Sequence, residues 1–433
     1  MRYMSTAQKI ILASVGLIIV LAILIFTGIL PGLRTDTGGG NIKLTIWGVF
    51  DDQDAFNAAI SGYTGLHRGA DIRYRQMDSA TYEEDLVNAL ASEGAPDIIM
   101  FHNTWLPKHS NKIVAANQQQ LPLNKFRELF PTVIEQDFAP DGRIFALPLY
   151  LDTLALYYNQ DIFDTKGVAL PPANWEEFQA LIPKLRQLDK TGRVTKPAAA
   201  IGGSNKSINR ATDILNLLML QTGAKMVEPD FSRATYSSDQ GLNALSFYTD
   251  FANPAHKNFT WSDSQVYSVD AFAAGDLAMT INYSYLREAL KEKNPFLNFK
   301  IAPVPQPKNA QQSISFPNYW GLAVTNKSLN PTAAWDFISF LTTNPAESNK
   351  YLIESKRPPA LRSMIAANLA DPNYEIFAKQ SLTARSWPQI NNVAVENSFS
   401  KMIESVINGR LPAQQALQQS EDEINALMER RTR

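Results

Sequence analysis

The chain of 433 residues contains no cysteine. Disulfides, thiol catalysis, thiolate metal sites and lipid attachment through a cysteine are therefore excluded. Histidine is scarce, and His67, His102, His109 and His256 show no metal-ligand spacing. Neither sign of charge is in excess. Lys and Arg number 40, Asp and Glu 42, for a net charge of −2, which supplies no general field for nucleic acid. GGSNKS at 202–207 lacks P-loop spacing, and no G-x-S-x-G elbow occurs. Carboxylate pairs such as Glu83–Glu84 and Glu176–Glu177 fall in expected first helical turns, where the helix dipole accounts for them. No metal or cofactor is expected.

Long apolar runs are missing too, with one exception. Residues 10–30 (IILASVGLIIVLAILIFTGIL) carry no charge and are long enough to span a bilayer. Arg2 and Lys9 precede them, so the positive-inside rule puts residues 1–9 in the cytoplasm and the rest outside. The run exceeds the core of a cleaved signal peptide and lacks a clear small-x-small site, which favours a retained transmembrane anchor. Residues 31–41, with RTDTGGGN at 34–41, read as a flexible polar tether.

Beyond the tether, strand and helix patterns alternate. IKLTIWGVF (42–50), DIRYRQM (71–77) and DIIMF (97–101) read as strands. Asp54–Leu66 reads as a helix, and Thr81–Glu84 as a capping box for a helix closed by Gly94. This order predicts a parallel sheet with crossover helices. A second α/β unit starts near 153: TLALYYN (153–159) is strand-like, Asn174 caps a helix, and Ile208–Gln221 is a helix ended by Gly223. From about 331 onward the pattern is helical. The most informative segment is DAFAAGDLAMTIN (270–282). An apolar helix face stops at Gly275, and Leu277–Asn282 follows as a buried strand of expected parallel direction. Asn282, Tyr283 and Tyr285 come directly after it, where ligands sit in open α/β sheets.

The same segment resembles a signature of the family 1 extracellular solute-binding proteins of ABC importers, the maltose-binding-like group. Four further blocks keep the family order: RIFALPLYLDTLALYYNQDIF (143–163), PPANWEEF (171–178), YWGLAVTNKSLNPTAAWDFISFLTT (319–343) and RPPAL (357–361). The resemblance implies an α/β fold of two doubly wound lobes, periplasmic binding protein-like, joined by a three-crossover hinge and here preceded by the transmembrane helix. It divides the chain into lobe 1 (42–152 and 283–313) and lobe 2 (153–282 and 314–433), with the hinge including 151–154 and 282–284.

A neutral sugar needs planar aromatics for its C–H faces, and Asp, Asn or Arg for its hydroxyls. Asp51 and Asp52 follow the first strand; Phe101, Asn103 and Trp105 follow the third. Tyr150 and Asp152 sit at the first crossover, Asp152 where the family has a ligand-binding Glu. Tyr285 falls where it has a stacking Trp. Tyr319 and Trp320 open a later strand, the loop at 202–210 offers Asn205, and Arg357 begins the RPPAL block. The expected activity is capture of a carbohydrate, mono- or oligosaccharide, and its delivery to ABC permease subunits from the outer face of the membrane. The protein is not expected to be an enzyme. Two other classes compete: a secreted lyase or glycosidase, whose two carboxylates need not be adjacent in sequence, and a sensory or adhesive module on the same fold.

Overall fold

Alternating or continuous apolar residues at 42–48, 70–76 and 98–102 produce three strands with helices between them. The computed structural model describes residues 42–92 and 94–432; the anchor expected at 10–30, with residues 1–9 and the tether, lies outside these. Strands β1 (Ile42–Gly48), β2 (Ala70–Gln76) and β3 (Ile98–His102) form one side of the first sheet, and β1 and β3 run parallel, with Ile46 opposite Ile98. The helix Gln53–Leu66 starts on Asp52, whose carboxylate accepts from Asp54 and Ala55 N–H groups, and buries Phe56, Ala59 and Tyr63. The helix Tyr82–Leu90 begins without the expected capping box: the Thr81 hydroxyl donates to Asp85 instead, at 2.7 Å. It ends at Leu90, short of Gly94. The short strands β4 (Ile113–Val114) and β5 (Leu147–Pro148) complete this stretch.

The second sheet has its own core. Here β6 (Asp152–Thr153) leads into β7 (Ala155–Asn159), and β8 (Gln187–Leu188) and β9 (Val194–Lys196) form a small separate ribbon. The helix Trp175–Leu185 is capped as expected, Asn174 accepting from the Glu177 N–H. β10 (Met279–Asn282) and β11 (Phe299–Ala302) flank β7, and both run antiparallel to it. On the β7 side the parallel direction expected for 277–282 is thus corrected, whereas its other edge meets Ala199 in a parallel bridge, the Ala200 N–H donating to the Met279 carbonyl at 3.0 Å. A strand buried on both faces has the same composition in either direction, so the apolar run does not report it. Gly275, at φ +79°, closes the preceding helix Ser268–Ala273 as expected.

Strand pairing also corrects the allocation of the C-terminal half. Residues 283–313 stay with the second sheet through β11, so the chain does not cross at 282–284. After β12 (Pro317–Asn318), strand β13 (Trp320–Thr325) returns to the first sheet, antiparallel to β3 and also paired with β4 and β5. The helix Pro331–Thr343 packs on β13, and Pro345–Ser355 packs on Gln53–Leu66. The helices Asn392–Ile407 and Ala413–Thr432 then join the second core, packing against Asp239–Asp250. The connections meet at β6 and β12, where Asp152 lies opposite Asn318. Local sequence specifies a buried strand; the distant partner that claims it is set by tertiary packing. Among the described residues, no helix is long and apolar enough to cross a membrane.

Candidate functional site

Strand ends deliver the walls of a cleft of about 810 Å³. Beyond β1 the chain turns through Phe50, a non-glycine residue in the left-handed region at φ 67°. Arg210, on the same cleft, has φ 66°, and Lys356, next to the cleft residue Arg357, has φ 55°. Each such residue stores roughly 1–2 kcal/mol of backbone strain, which persists only where the surroundings enforce it. Among the described non-glycine residues, Phe231 is the one other with positive φ, and it lies away from the cleft.

One wall is aromatic. Trp105, just after β3, and Trp320, opening β13, meet edge-on with ring centres 5.1 Å apart. Tyr82 stacks on Trp105 at 5.8 Å, and Phe50, 55% exposed, meets the edge of Trp320 at 5.8 Å. Trp105 is buried, whereas Trp320 remains half-buried and offers apolar surface to the cleft. His102 lies beside it at 5.0 Å, its Nδ1 bonded to the Thr104 hydroxyl at 2.8 Å. Burial pulls the imidazole down to about 4, so at neutral pH it is an uncharged hydrogen-bonding ring.

The facing side is tyrosine and arginine. Beyond β10, Tyr283 and Tyr285 stack with centres 6.2 Å apart. Arg210 lies over both rings, at 5.5 and 5.6 Å, and its Nε donates to the Tyr285 hydroxyl at 2.9 Å. That hydroxyl in turn donates to Asn209 Oδ1 at 3.0 Å. Tyr283 donates to Asp213 at 2.9 Å. Arg357 lies over Tyr150 at 5.0 Å and over Tyr285 at 5.8 Å, and its Nε is buried without a hydrogen-bond partner. Asn103 and Asn392 line the same cleft, each with an Oδ1 that is likewise buried and unpaired. Buried polar atoms of this kind cost about 1–3 kcal/mol each, and a ligand bearing both donors and acceptors would satisfy them.

Of the residues expected at a site, Asn103, Trp105, Tyr150, Asp152, Tyr285, Trp320 and Arg357 line this cleft. Asp152, however, is committed to the fold. Its carboxylate accepts from the Ser284 hydroxyl at 2.7 Å, from the Ser284 N–H at 3.0 Å and from the Thr153 N–H at 2.9 Å. Burial pushes it up to about 6, against the pull of Ser284 and Arg357.

The other five lie off the cleft wall. Asp51 is buried beneath it, accepting from the Tyr351 hydroxyl at 2.7 Å. Asp52 is the exposed helix cap. Phe101 packs edge-on against Trp105 in the core, at 5.8 Å. Tyr319 is fully buried and donates to Asp137, because neighbouring residues along extended chain point to opposite faces and Trp320 takes the cleft. Asn205 does not line the wall; partly exposed, it donates to Glu396, itself a lining residue, at 2.9 Å. Phe50, His102, Asn209, Arg210, Asp213 and Glu396 line the cleft without having been anticipated. Arg210 could have been flagged, since it ends the same polar loop as Asn205. Nothing local signals Glu396, which reaches the cleft from a helix almost two hundred residues later. Among the described residues, no group of three or more histidines and carboxylates could hold a metal ion.

The chain is similar to known binding proteins in sequence and in fold. Over 257 residues the chain is 23% identical to a putative binding protein of Brucella abortus (strain 2308), covering 57% of this chain and 58% of the relative. The matched stretch is thus little more than half the length of that relative. A probable ABC transporter-binding protein of Deinococcus radiodurans is 21% identical over 354 residues, covering 80% of this chain and 82% of the relative. The crystal structure of a cyclic alpha-maltosyl-1,6-maltose binding protein from Arthrobacter globiformis superposes with a TM-score of 0.76 at 20% identity, over 90% of this chain and all of that one. The fold is therefore that of the periplasmic binding proteins, and these relatives are named as binding proteins, not enzymes. Residues 47–348 match the family model described as bacterial extracellular solute-binding protein, and the chain belongs to that family.

Proposed function

We propose that the protein captures a carbohydrate in this cleft and passes it to the permease subunits of an ABC importer, held at the membrane by residues 10–30. The observation that carries the reading is the pairing of a half-buried Trp320 with unpaired amide and guanidinium atoms around one cavity. Such a cleft matches a ligand with apolar C–H faces and a hydroxyl rim, and its volume suits a small oligosaccharide. Names of relatives support this: one is a probable ABC transporter-binding protein and one binds a cyclic maltosyl sugar.

In this reading the lobes follow the two sheets. Lobe 1 holds β1–β5, β13 and the helices of 331–355; lobe 2 holds β7, β10, β11 and the helices of 392–432. Ligand touches both and favours closure about the connections at 150–153 and 316–319. A thermal-shift screen of the full chain against maltose, maltotetraose, mannotriose and tagatose tests the ligand class. A sugar at 100 times its dissociation constant adds about 2.7 kcal/mol; no shift with any of them removes support for the carbohydrate reading. N-terminal sequencing of membrane-bound protein tests the anchor, which a mature chain starting near residue 32–40 would refute.

A further inference from the structure

Behind the cleft wall lies a carboxylate that takes no part in lining it. Asp137, on the helix Thr132–Phe138, is buried with no cation bonded to it. One of its oxygens accepts from the Asn103 side-chain nitrogen at 3.0 Å and from the Tyr319 hydroxyl at 2.7 Å. The other accepts from the Ser386 hydroxyl. An ionised carboxylate accepts hydrogen bonds and donates none. The amide of Asn103 must therefore turn its nitrogen toward Asp137, which leaves its oxygen as the free end. That oxygen is buried and has no partner, on a residue that lines the cleft. The Asn103 backbone is held as well, its N–H donating to the Tyr319 carbonyl at 3.1 Å. With both backbone and nitrogen fixed, the amide has one orientation to offer.

We propose that Asp137 is a positioning residue for the cleft: by holding Asn103 through its nitrogen, it presents the Asn103 oxygen as an acceptor that a ligand hydroxyl satisfies. The identity of the ligand rests on the carbohydrate reading above; the orientation of the amide does not. The same arrangement sets a specificity rule. At this point of the cleft the ligand must donate, so a sugar whose local hydroxyl is replaced by a methoxy group is rejected.

Two measurements test it, both at pH 8.5, because burial raises the Asp137 carboxyl to about 7 and the lock requires the ionised form. The first needs no ligand. With asparagine selectively labelled with 15N, the Asn103 side-chain signal is identified by its loss in Asn103→Ala. It is expected downfield and slow to exchange, and in Asp137→Ala it returns to the position of a free amide. An unchanged signal in a folded Asp137→Ala protein overturns the proposal.

The second reads affinity for whichever of maltose, maltotetraose, mannotriose and tagatose shifts the wild type most. Asp137→Ala weakens binding by about tenfold, the upper scale of one neutral hydrogen bond between a ligand hydroxyl and the Asn103 oxygen. Where that variant does not fold, Asn103→Asp gives the same loss by opposing two carboxylates. Adding Asp137→Asn to Asn103→Asp swaps donor and acceptor, leaves an acceptor oxygen on residue 103, and restores affinity to within about threefold. A merely structural role for Asp137 does not predict that recovery, and a folded double variant that stays weak refutes the proposal. If no sugar binds the wild type but the amide signal behaves as described, the carbohydrate reading fails and the positioning role stands.

Discussion

Replacing Trp320 by alanine separates a ligand-stacking role from a packing role. In the ligand-free protein the indole touches Trp105 at 5.1 Å, His102 at 5.0 Å and Phe50 at 5.8 Å between ring centres. Aromatic pairs of this geometry contribute about 0.5–1.5 kcal/mol each. Since the ring is only half-buried, the variant should lose about 2 kcal/mol of stability, below the ~3–5 kcal/mol of a core Trp. A sugar ring covering one indole face removes about 50 Å² from water. At about 25 cal/mol per Å² this amounts to about 1.2 kcal/mol, and dispersion brings it close to the ~1.4 kcal/mol of a tenfold change in affinity. Trp335 supplies the control. It is 1% exposed, donates to the Val114 carbonyl at 3.1 Å and does not line the cleft. Isothermal titration with the best sugar of the panel, beside urea melts, should find Trp320→Ala weak in binding and modestly destabilised, and Trp335→Ala the reverse. Unchanged affinity in Trp320→Ala, with the wild type binding, would refute the stacking argument.

Asp152 predicts an unusual pH dependence. Its carboxyl is raised from 3.8 to about 6 by burial, so the folded state holds the proton more tightly and stability falls as pH rises from about 4 to 6, by about 3 kcal/mol at most. Asp152→Asn should flatten that part of the profile in urea melts at pH 4, 5, 6 and 7; an unaltered slope argues against the assignment. A Cβ at Gly321 would lie 2.4 Å from the Leu147 carbonyl oxygen and 2.8 Å from the Phe138 ring, so Gly321→Ala should cost about 1–3 kcal/mol and shift tryptophan fluorescence by moving Trp320. A wild-type melt and spectrum would contradict this. Small-angle scattering should show a smaller radius of gyration at saturating sugar; an unchanged value with ligand bound counts against hinge closure.

The legible parts of the chain were those coded locally. Asn174 caps its helix, Gly223 and Gly275 take positive φ, and the β–α–β–α–β order of 42–102 forms the expected sheet. Strand-end reasoning placed Asn103, Trp105, Tyr285 and Trp320 on the cleft, because chain emerging from a strand must pass over the sheet's edge. What escaped depends on distant partners. Direction was invisible in LAMTIN because both faces are buried. WGLAVT could not reveal that its neighbour is β3, some two hundred residues earlier. Tyr319 and Trp320 are adjacent aromatics with opposite fates, decided by the pleat. Asp152 reads as a ligand residue at a crossover, and its commitment to the Ser284 donors, more than a hundred residues later, leaves no local trace.

The position of β13 bears on how the chain acquires its structure. It lies in the interior of the first sheet, between β3 and β4. During synthesis the first 319 residues therefore contain a sheet with a missing rib, and the edge of β3 stays open until the rib arrives. Pairing across so large a sequence separation carries a high loop-closure cost and slows folding. An open apolar edge is in the meantime a template for wrong pairings. The N-terminal third is thus not an autonomous folding unit, and fragments ending before residue 320 should be recovered as aggregates or with a chaperone.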